Sequence, residues 1–82
     1  MYTVYILRTS KNTLYTGITN NLEKRLKVHM HKGKNSSKYM RSFESFTLVY
    51  DEKVIKKSEA LKRELEIKKL TKIKKEALIN TI

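Results

Sequence analysis

Cysteine is absent from this sequence, so neither a disulfide nor a thiolate zinc site supports the fold. No apolar run approaches the roughly 18 residues that a membrane-spanning helix needs. The opening MYTVYILRTS has apolar residues with no basic stretch ahead of them, which argues against a secretory signal. A soluble protein of the cytoplasm, with no membrane partner, is expected. Acids are scarce too: eight Asp and Glu face nineteen Lys and Arg, a net charge of +11 on 82 residues. Such an excess points to a polyanion, with nucleic acid ahead of an anionic membrane surface. Binding of that kind is salt-sensitive, because each neutralised phosphate releases counterions. A basic surface that serves only solubility is the bland alternative. The length sets one domain, 1–82, with a compact core.

Residues 2–8, YTVYILR, are rich in β-branched and aromatic side chains and read as a strand. TSKNT is turn chemistry and LYTGI a second strand, so 2–18 reads as a hairpin. Gly17 interrupts a strand pattern, which marks either a bulge or a place where something approaches the backbone closely. A helix follows, with Asn20 as its cap and Glu23 completing a capping-box-like pair. Leu22, Leu26 and Met30 form its apolar stripe, and Gly33 is a plausible terminator. The polar, basic stretch 34–45 reads as a loop with a helical turn around Tyr39. FTLVYDE (46–52) is a third strand. Ser58 then caps a helix running to Leu70, and Thr71 starts a short helix, 72–80, with Ile73, Ala77 and Leu78 facing inward. The resulting β-β-α-β-α-α order is an α+β pattern, a small three-stranded antiparallel sheet flanked by helices.

Chemistry-bearing residues are scattered over this framework. Arg25 and His29 lie one helical turn apart, on the same flank of the first helix. On the long helix, Ile67, Ala60, Leu61 and Leu65 share one arc; Glu59 and Glu66 lie outside it and Glu64 within it. An acid there is costly unless a cation or hydrogen bonds compensate it. A structural salt bridge to Arg25 is one explanation; a divalent-metal site built on a single carboxylate is the other. The basic doublets 56/57, 62/63, 68/69 and 74/75, all lysine except Arg63, are spread around the helix axis and act as solvating charge. Tyr5 and Tyr15 complete the set. A cation that polarises a phosphate, a guanidinium that holds developing charge and a base that takes a proton from water are what phosphodiester cleavage needs. A Tyr serves as that base only where nearby cations lower its pKa from about 10. Strand side chains alternate faces, so an odd-length hairpin loop or a bulge at Gly17 is required to place both phenols on one face. The same face is expected.

At these residues the chain resembles the GIY-YIG nuclease superfamily, its short single-domain bacterial members above all. TVY at 3–5 matches the first half of the motif and YTG at 15–17 the second, followed by NLEKRLKVH and the helix EALKRELEIKKL. The resemblance implies a metal-dependent endonuclease acting on DNA or structured nucleic acid, DNA favoured over RNA, with one Mg²⁺ or Mn²⁺ as cofactor. By the same resemblance Tyr5 is the base that activates water, Tyr15 orients water or phosphate, Arg25 stabilises the phosphate, His29 assists, Glu64 binds the metal and Gly17 is the motif glycine. Three departures bear on rate and substrate: the Gly of GIY is Thr3 here, Ile18 stands where some members carry a polar side chain, and Glu76 stands where many carry an Asn. Lys38, Tyr39 and Arg41, an aromatic among basic residues, are the candidate nucleic-acid contacts outside the site. A non-catalytic nucleic-acid-binding module of the same fold is the alternative reading. Lacking a segment that reads base sequence, the domain is expected to gain specificity only from a partner, such as a larger repair complex.

Overall fold

The structure is a computed structural model that describes residues 1–30 and 45–81, with the side chains of 28–30 outside the description. Its elements are β1 (Tyr2–Thr9), β2 (Leu14–Thr19), α1 (Leu22–Met30), β3 (Phe46–Val54), α2 (Lys57–Lys68) and α3 (Lys72–Ile79). The strands form one antiparallel sheet in the order β2-β1-β3, and the fold is α+β as expected. Gly33, Lys38, Tyr39 and Arg41 lie outside the described residues. Among the described residues no helix is long and apolar enough to cross a membrane.

β1 is the central strand, and its run TVYIL is buried throughout. A strand covered on both faces reads as a continuous apolar run rather than an alternation. One face carries Val4 and Ile6, packed with Ala60 and Ile67 of α2 and with Leu78 and Ile79 of α3. The other carries Tyr5 and Leu7, packed with Tyr15 and with Leu22 and Leu26 of α1.

The β1–β2 connection sets the register on which the site depends. Thr9 N–H donates to Thr13 O and Asn12 N–H to Thr9 O, both at 2.9 Å, and Asn12 has φ 62°. A tight turn followed by a left-handed residue is the usual build of a three-residue hairpin loop, and Asn tolerates that conformation better than most side chains. This odd-length loop pairs Leu7 with Tyr15 and Tyr5 with Gly17, so both phenols share a face. The pairing runs through Gly17 without a shift; the sheet's irregularity falls instead between Ile6 and Leu7 on the β3 side.

Helix starts differ from the sequence reading in two places. The cap of α1 is Asn21, not Asn20: its Oδ1 accepts the Lys24 N–H at 3.1 Å, while Thr19 Oγ1 accepts the Asn21 N–H at 3.1 Å. The Thr19 hydroxyl holds the chain in a turn for one residue more. That shift takes Glu23 out of capping-box position, and it pairs with Lys27 at 3.6 Å instead. Helix α2 starts after Lys56 with no side-chain cap, so Ser58 lies inside its first turn. Thr71 does cap α3, its Oγ1 accepting from Lys74 N–H.

The inward faces of α2 and α3 also differ. Leu61 and Leu65 are exposed, Leu65 by 58%, and the inward arc of α2 is Ala60, Arg63, Glu64 and Ile67. Polar partners on the sheet explain the exchange, since Arg63 Nε donates to Glu52 Oε1 at 2.8 Å and Tyr50 hydroxyl donates to the same oxygen at 3.1 Å. On α3, Ile73 is 83% exposed and Ala77 is exposed, whereas Glu76, Leu78 and Ile79 turn inward. Glu76 receives both guanidinium nitrogens of Arg8, with Nη1 at 2.7 Å. The same Arg8 nitrogen donates to Asn12 Oδ1 at 2.7 Å, and Lys72 Nζ donates to Asn12 O at 2.6 Å. These bonds tie α3 to the hairpin turn, which gives the departure at Glu76 a structural role.

Candidate active site

The site is built around one phenol. Tyr5 projects from the middle of β1, and its ring passes over Gly17 on the neighbouring strand. A Cβ at Gly17 would stand 2.7 Å from the phenol oxygen and 2.8 Å from Cζ. Gly17 has no positive φ, so the glycine is required by this close approach and not by backbone conformation. Of the two readings left open for Gly17, a bulge or an approach, the approach is the one observed, and the approaching group is the phenol of Tyr5.

Passing over the glycine carries the buried phenol from the centre of the sheet towards the β2 edge. There the Arg25 side chain hydrogen-bonds it, and the phenol also senses the charge of Arg25 and of Glu64 and interacts with Tyr15. The Tyr5 and Tyr15 rings lie 6.5 Å apart between centroids with planes inclined at 43°, a tilted arrangement favourable for aromatic pairs. Arg25 reaches this point because the Asn21 cap fixes the start of α1 immediately after β2, leaving Arg25 one turn inside the helix. His29 falls on the following turn of α1, and its side chain lies outside the description.

Glu64 approaches from the other helical layer. Its side chain is 17% exposed, and Lys68, one turn further along α2, lies 3.6 Å from its carboxylate. On the helix wheel Arg63 and Glu64 flank the Ala60–Ile67 line on opposite sides. Arg63 meets Glu52 on β3, so Glu64 is directed to the β2 side, where the phenol of Tyr5 arrives. The sheet edge thus brings together Tyr5, Tyr15, Gly17, Arg25 and Glu64 from four elements.

Electrostatics at the phenol oppose its use as an unaided base. Burial raises the Tyr5 pKa above its usual 10; the Arg25 hydrogen bond lowers it, and the charge of Glu64 raises it again. Burial prevails, and at neutral pH Tyr5 is a protonated phenol. The condition that cations lower this pKa is therefore not met by the groups of the described residues. A perturbed titrating group beside an Arg and a carboxylate at an open edge is nonetheless the usual mark of a functional site.

The fit of a divalent ion is set by the same donors. Among the described residues no three His, Cys, Asp or Glu converge to hold a metal. Glu64 is one inward carboxylate at an accessible edge. That matches Mg²⁺-type sites, which keep waters and use one or two carboxylates together with substrate phosphate.

Depressions among the described residues border α1, two of them informative. The larger, about 540 Å³, is lined by Leu22, Leu26, Glu23 and Asp51 among others. It contains none of the candidate catalytic residues, and its two acids outnumber its one lysine, Lys53, which disfavours a polyanion. The smaller, about 360 Å³, includes Arg25 and Lys57. Lys57 carried no sequence signal beyond its place in a lysine doublet.

A sheet of this order with a Tyr pair, a helix Arg and a lone helix Glu at one edge defines a nuclease-type domain. The chain belongs to the GIY-YIG family: residues 1–77 match the GIY-YIG catalytic domain. It is 47% identical over 76 residues to a UPF0213 protein of Oceanobacillus iheyensis, covering 93% of this chain and 86% of that one. A UPF0213 protein of Syntrophus aciditrophicus is 49% identical over 76 residues, with the same two coverages, 93% and 86%. The solution NMR structure of a UPF0213 protein from Bacillus halodurans is similar with a TM-score of 0.63 and 38% identity, covering 99% of this chain and 85% of that one. The family is one of nucleases, acts on nucleic acid and generally uses divalent metal ions.

Proposed function

We propose that the protein is a metal-dependent endonuclease that hydrolyses phosphodiester bonds in DNA or structured nucleic acid, with residues 1–82 acting as one catalytic domain. The observation that carries this reading is the convergence of Arg25, Tyr15 and Glu64 on the phenol of Tyr5. Glu64 would hold one Mg²⁺ or Mn²⁺, which when bound would supply Lewis acidity to the phosphate. Arg25 bonds the phenol and presents its remaining N–H donors to the phosphate, where negative charge grows as water attacks. Tyr5 as a neutral phenol orients the attacking water by its hydroxyl; it accepts a proton from that water only as the phenolate, after its own proton has passed to solvent where positive charge nearby offsets the burial. Tyr15 packs against that ring and fixes its tilt. His29, on the next turn of α1, assists at the same phosphate. Lys38, Tyr39 and Arg41 extend the contact to the strand outside the site. The setting is cytoplasmic, in repair or recombination, and a larger repair complex is the expected source of specificity.

The test is plasmid nicking by wild type and Glu64→Ala, each with Mg²⁺ or with chelator. Nicking by wild type in Mg²⁺ alone is expected, and activity that survives both the chelator and the substitution would refute the metal role. One observation favours a second reading, a nucleic-acid-binding module that does not cut: burial holds Tyr5 protonated. That reading predicts salt-dependent binding with no nicking by any variant.

A further inference from the structure

Arg25 does more than bond the phenol of Tyr5. It also lines the depression of about 360 Å³ at the end of β2, together with Lys57 at the first turn of α2, Thr19, Asn20, Tyr2 and Ile18. Two of these six residues are cations contributed by different helices, two are small polar groups on the β2–α1 link, and two are half-buried apolar side chains. None is acidic, in contrast to the neighbouring depression with Glu23 and Asp51. Cations with hydroxyl and amide donors suit a phosphodiester, and an aromatic and an aliphatic wall suit the nucleoside attached to it. The volume accommodates one nucleotide rather than a duplex segment. Arg25 is shared, so whatever fills this depression meets the same side chain that hydrogen-bonds the phenol.

We propose that this depression is a subsite for the nucleotide next to the cleaved bond, in which Lys57 and Arg25 hold the neighbouring phosphate and Tyr2 and Ile18 seat its nucleoside. The proposal rests on the nuclease reading for what lies next door, but not for binding itself. Lys57 is a binding residue here and takes no part in the chemistry. It assigns to one lysine among many a position that charge counting does not distinguish. It also gives the strand a direction of travel, from the Tyr5–Glu64 edge towards the start of α2.

The experiment titrates ¹⁵N-labelled protein with single-stranded oligothymidylate in chelator, so that binding is read without cutting. Amide shifts at Thr19, Asn20 and Lys57 are expected to saturate together. Lys57→Ala should weaken binding about tenfold, the effect of one lost charge-assisted hydrogen bond, and Lys57→Arg should restore most of it. The slope of log affinity against log salt should fall in magnitude by about 0.7, one single-strand phosphate contact. Lys62→Ala, exposed on the outer side of α2, is the control and should change binding little. Equal losses for Lys57→Ala and Lys62→Ala, or shifts that avoid residues 19, 20 and 57, would overturn the subsite. If binding maps here yet no variant cuts in Mg²⁺, the subsite stands and the nuclease reading falls. If wild type cuts and Lys57→Ala has its KM, the nuclease reading stands and the subsite falls.

Discussion

Replacing Gly17 by alanine isolates the contact on which the site is built. The added methyl would meet the phenol oxygen of Tyr5 at 2.7 Å, Cζ at 2.8 Å and Cε1 at 3.3 Å. Ordinary carbon contacts begin near 3.5 Å, so the ring must withdraw by roughly 0.7 Å from the nearest atoms. Tyr5 is only 1% exposed and is packed against Leu7 and Tyr15, which leaves it nowhere easy to go. Overpacking of this kind costs about 1–3 kcal/mol. The backbone term has the opposite sign: without a positive φ at Gly17, alanine there lowers unfolded-state entropy and returns about 0.4–1 kcal/mol. The net expectation is a loss of about 1–2 kcal/mol, read as a fall in the denaturant midpoint at unchanged slope and a lower Tm. Displacing the phenol also breaks its register with Arg25, and misplacement on the ångström scale costs on the order of 100-fold in rate. Adding Tyr5→Phe should recover part of the stability loss, since the nearest clashing atom is then gone. A Gly17→Ala protein that is more stable than wild type, with the rate unchanged, would refute the close-approach account.

Three further outcomes follow from other parts of the fold. Asn12→Val should destabilise by about 1–2 kcal/mol, because a β-branched residue is strained at φ 62°, whereas Asn12→Gly avoids that strain, loses only the Arg8 bond to the side chain, and should be destabilised less in urea. Glu76 is held below its ordinary 4.5, first by the Arg8 hydrogen bond. Its stabilising effect is present above pH 4.5 and is lost as pH falls through the lowered value, so Glu76→Gln should flatten that acid limb of the denaturant midpoint. Tyr5 is shifted the other way by burial, so its contribution is intact below pH 10 and is lost as pH rises through its raised value. Ultraviolet titration should therefore show Tyr5 and Tyr50 ionising late, Tyr50 being raised by burial and by Glu52, and Tyr5→Phe should remove one of the two.

The parts of this architecture written in local pattern were legible in the sequence. Strand β1 announces itself by its apolar run, the hairpin by TSKNT, and α3 by Thr71, whose hydroxyl caps it. Shared placement of Tyr5 and Tyr15 was expected on condition of an odd-length loop or a bulge at Gly17, and the three-residue loop is the condition that is met. Glu64 was legible as an acid on an inward arc. The failures arose where a partner distant in sequence decides. Leu61 and Leu65 are apolar, yet α2 turns Arg63 inward because Glu52 and Tyr50 wait on β3. Ile73 is displaced to solvent by the same logic, since Glu76 has Arg8 to meet. The cap of α1 moved by one residue because the Thr19 hydroxyl closes a turn that side-chain preference at Asn20 does not foresee. Gly17 was legible as either a bulge or a close approach; that it is an approach, and that Tyr5 is the group approaching, depends on a cross-strand pairing visible only once the sheet is assembled.

The most direct test of the central claim, that one phenol, one guanidinium and one carboxylate form a single metal-dependent site, is the Mg²⁺ dependence of plasmid nicking. It compares wild type with Tyr5→Phe, Arg25→Ala and Glu64→Gln, each shown by circular dichroism to be folded. The account predicts a wild-type rate that saturates with Mg²⁺, losses of on the order of 100-fold or more in each variant, and double variants little worse than single ones. Losses that multiply as though the residues were independent, or a Glu64→Gln protein that nicks with wild-type Mg²⁺ dependence, would contradict it.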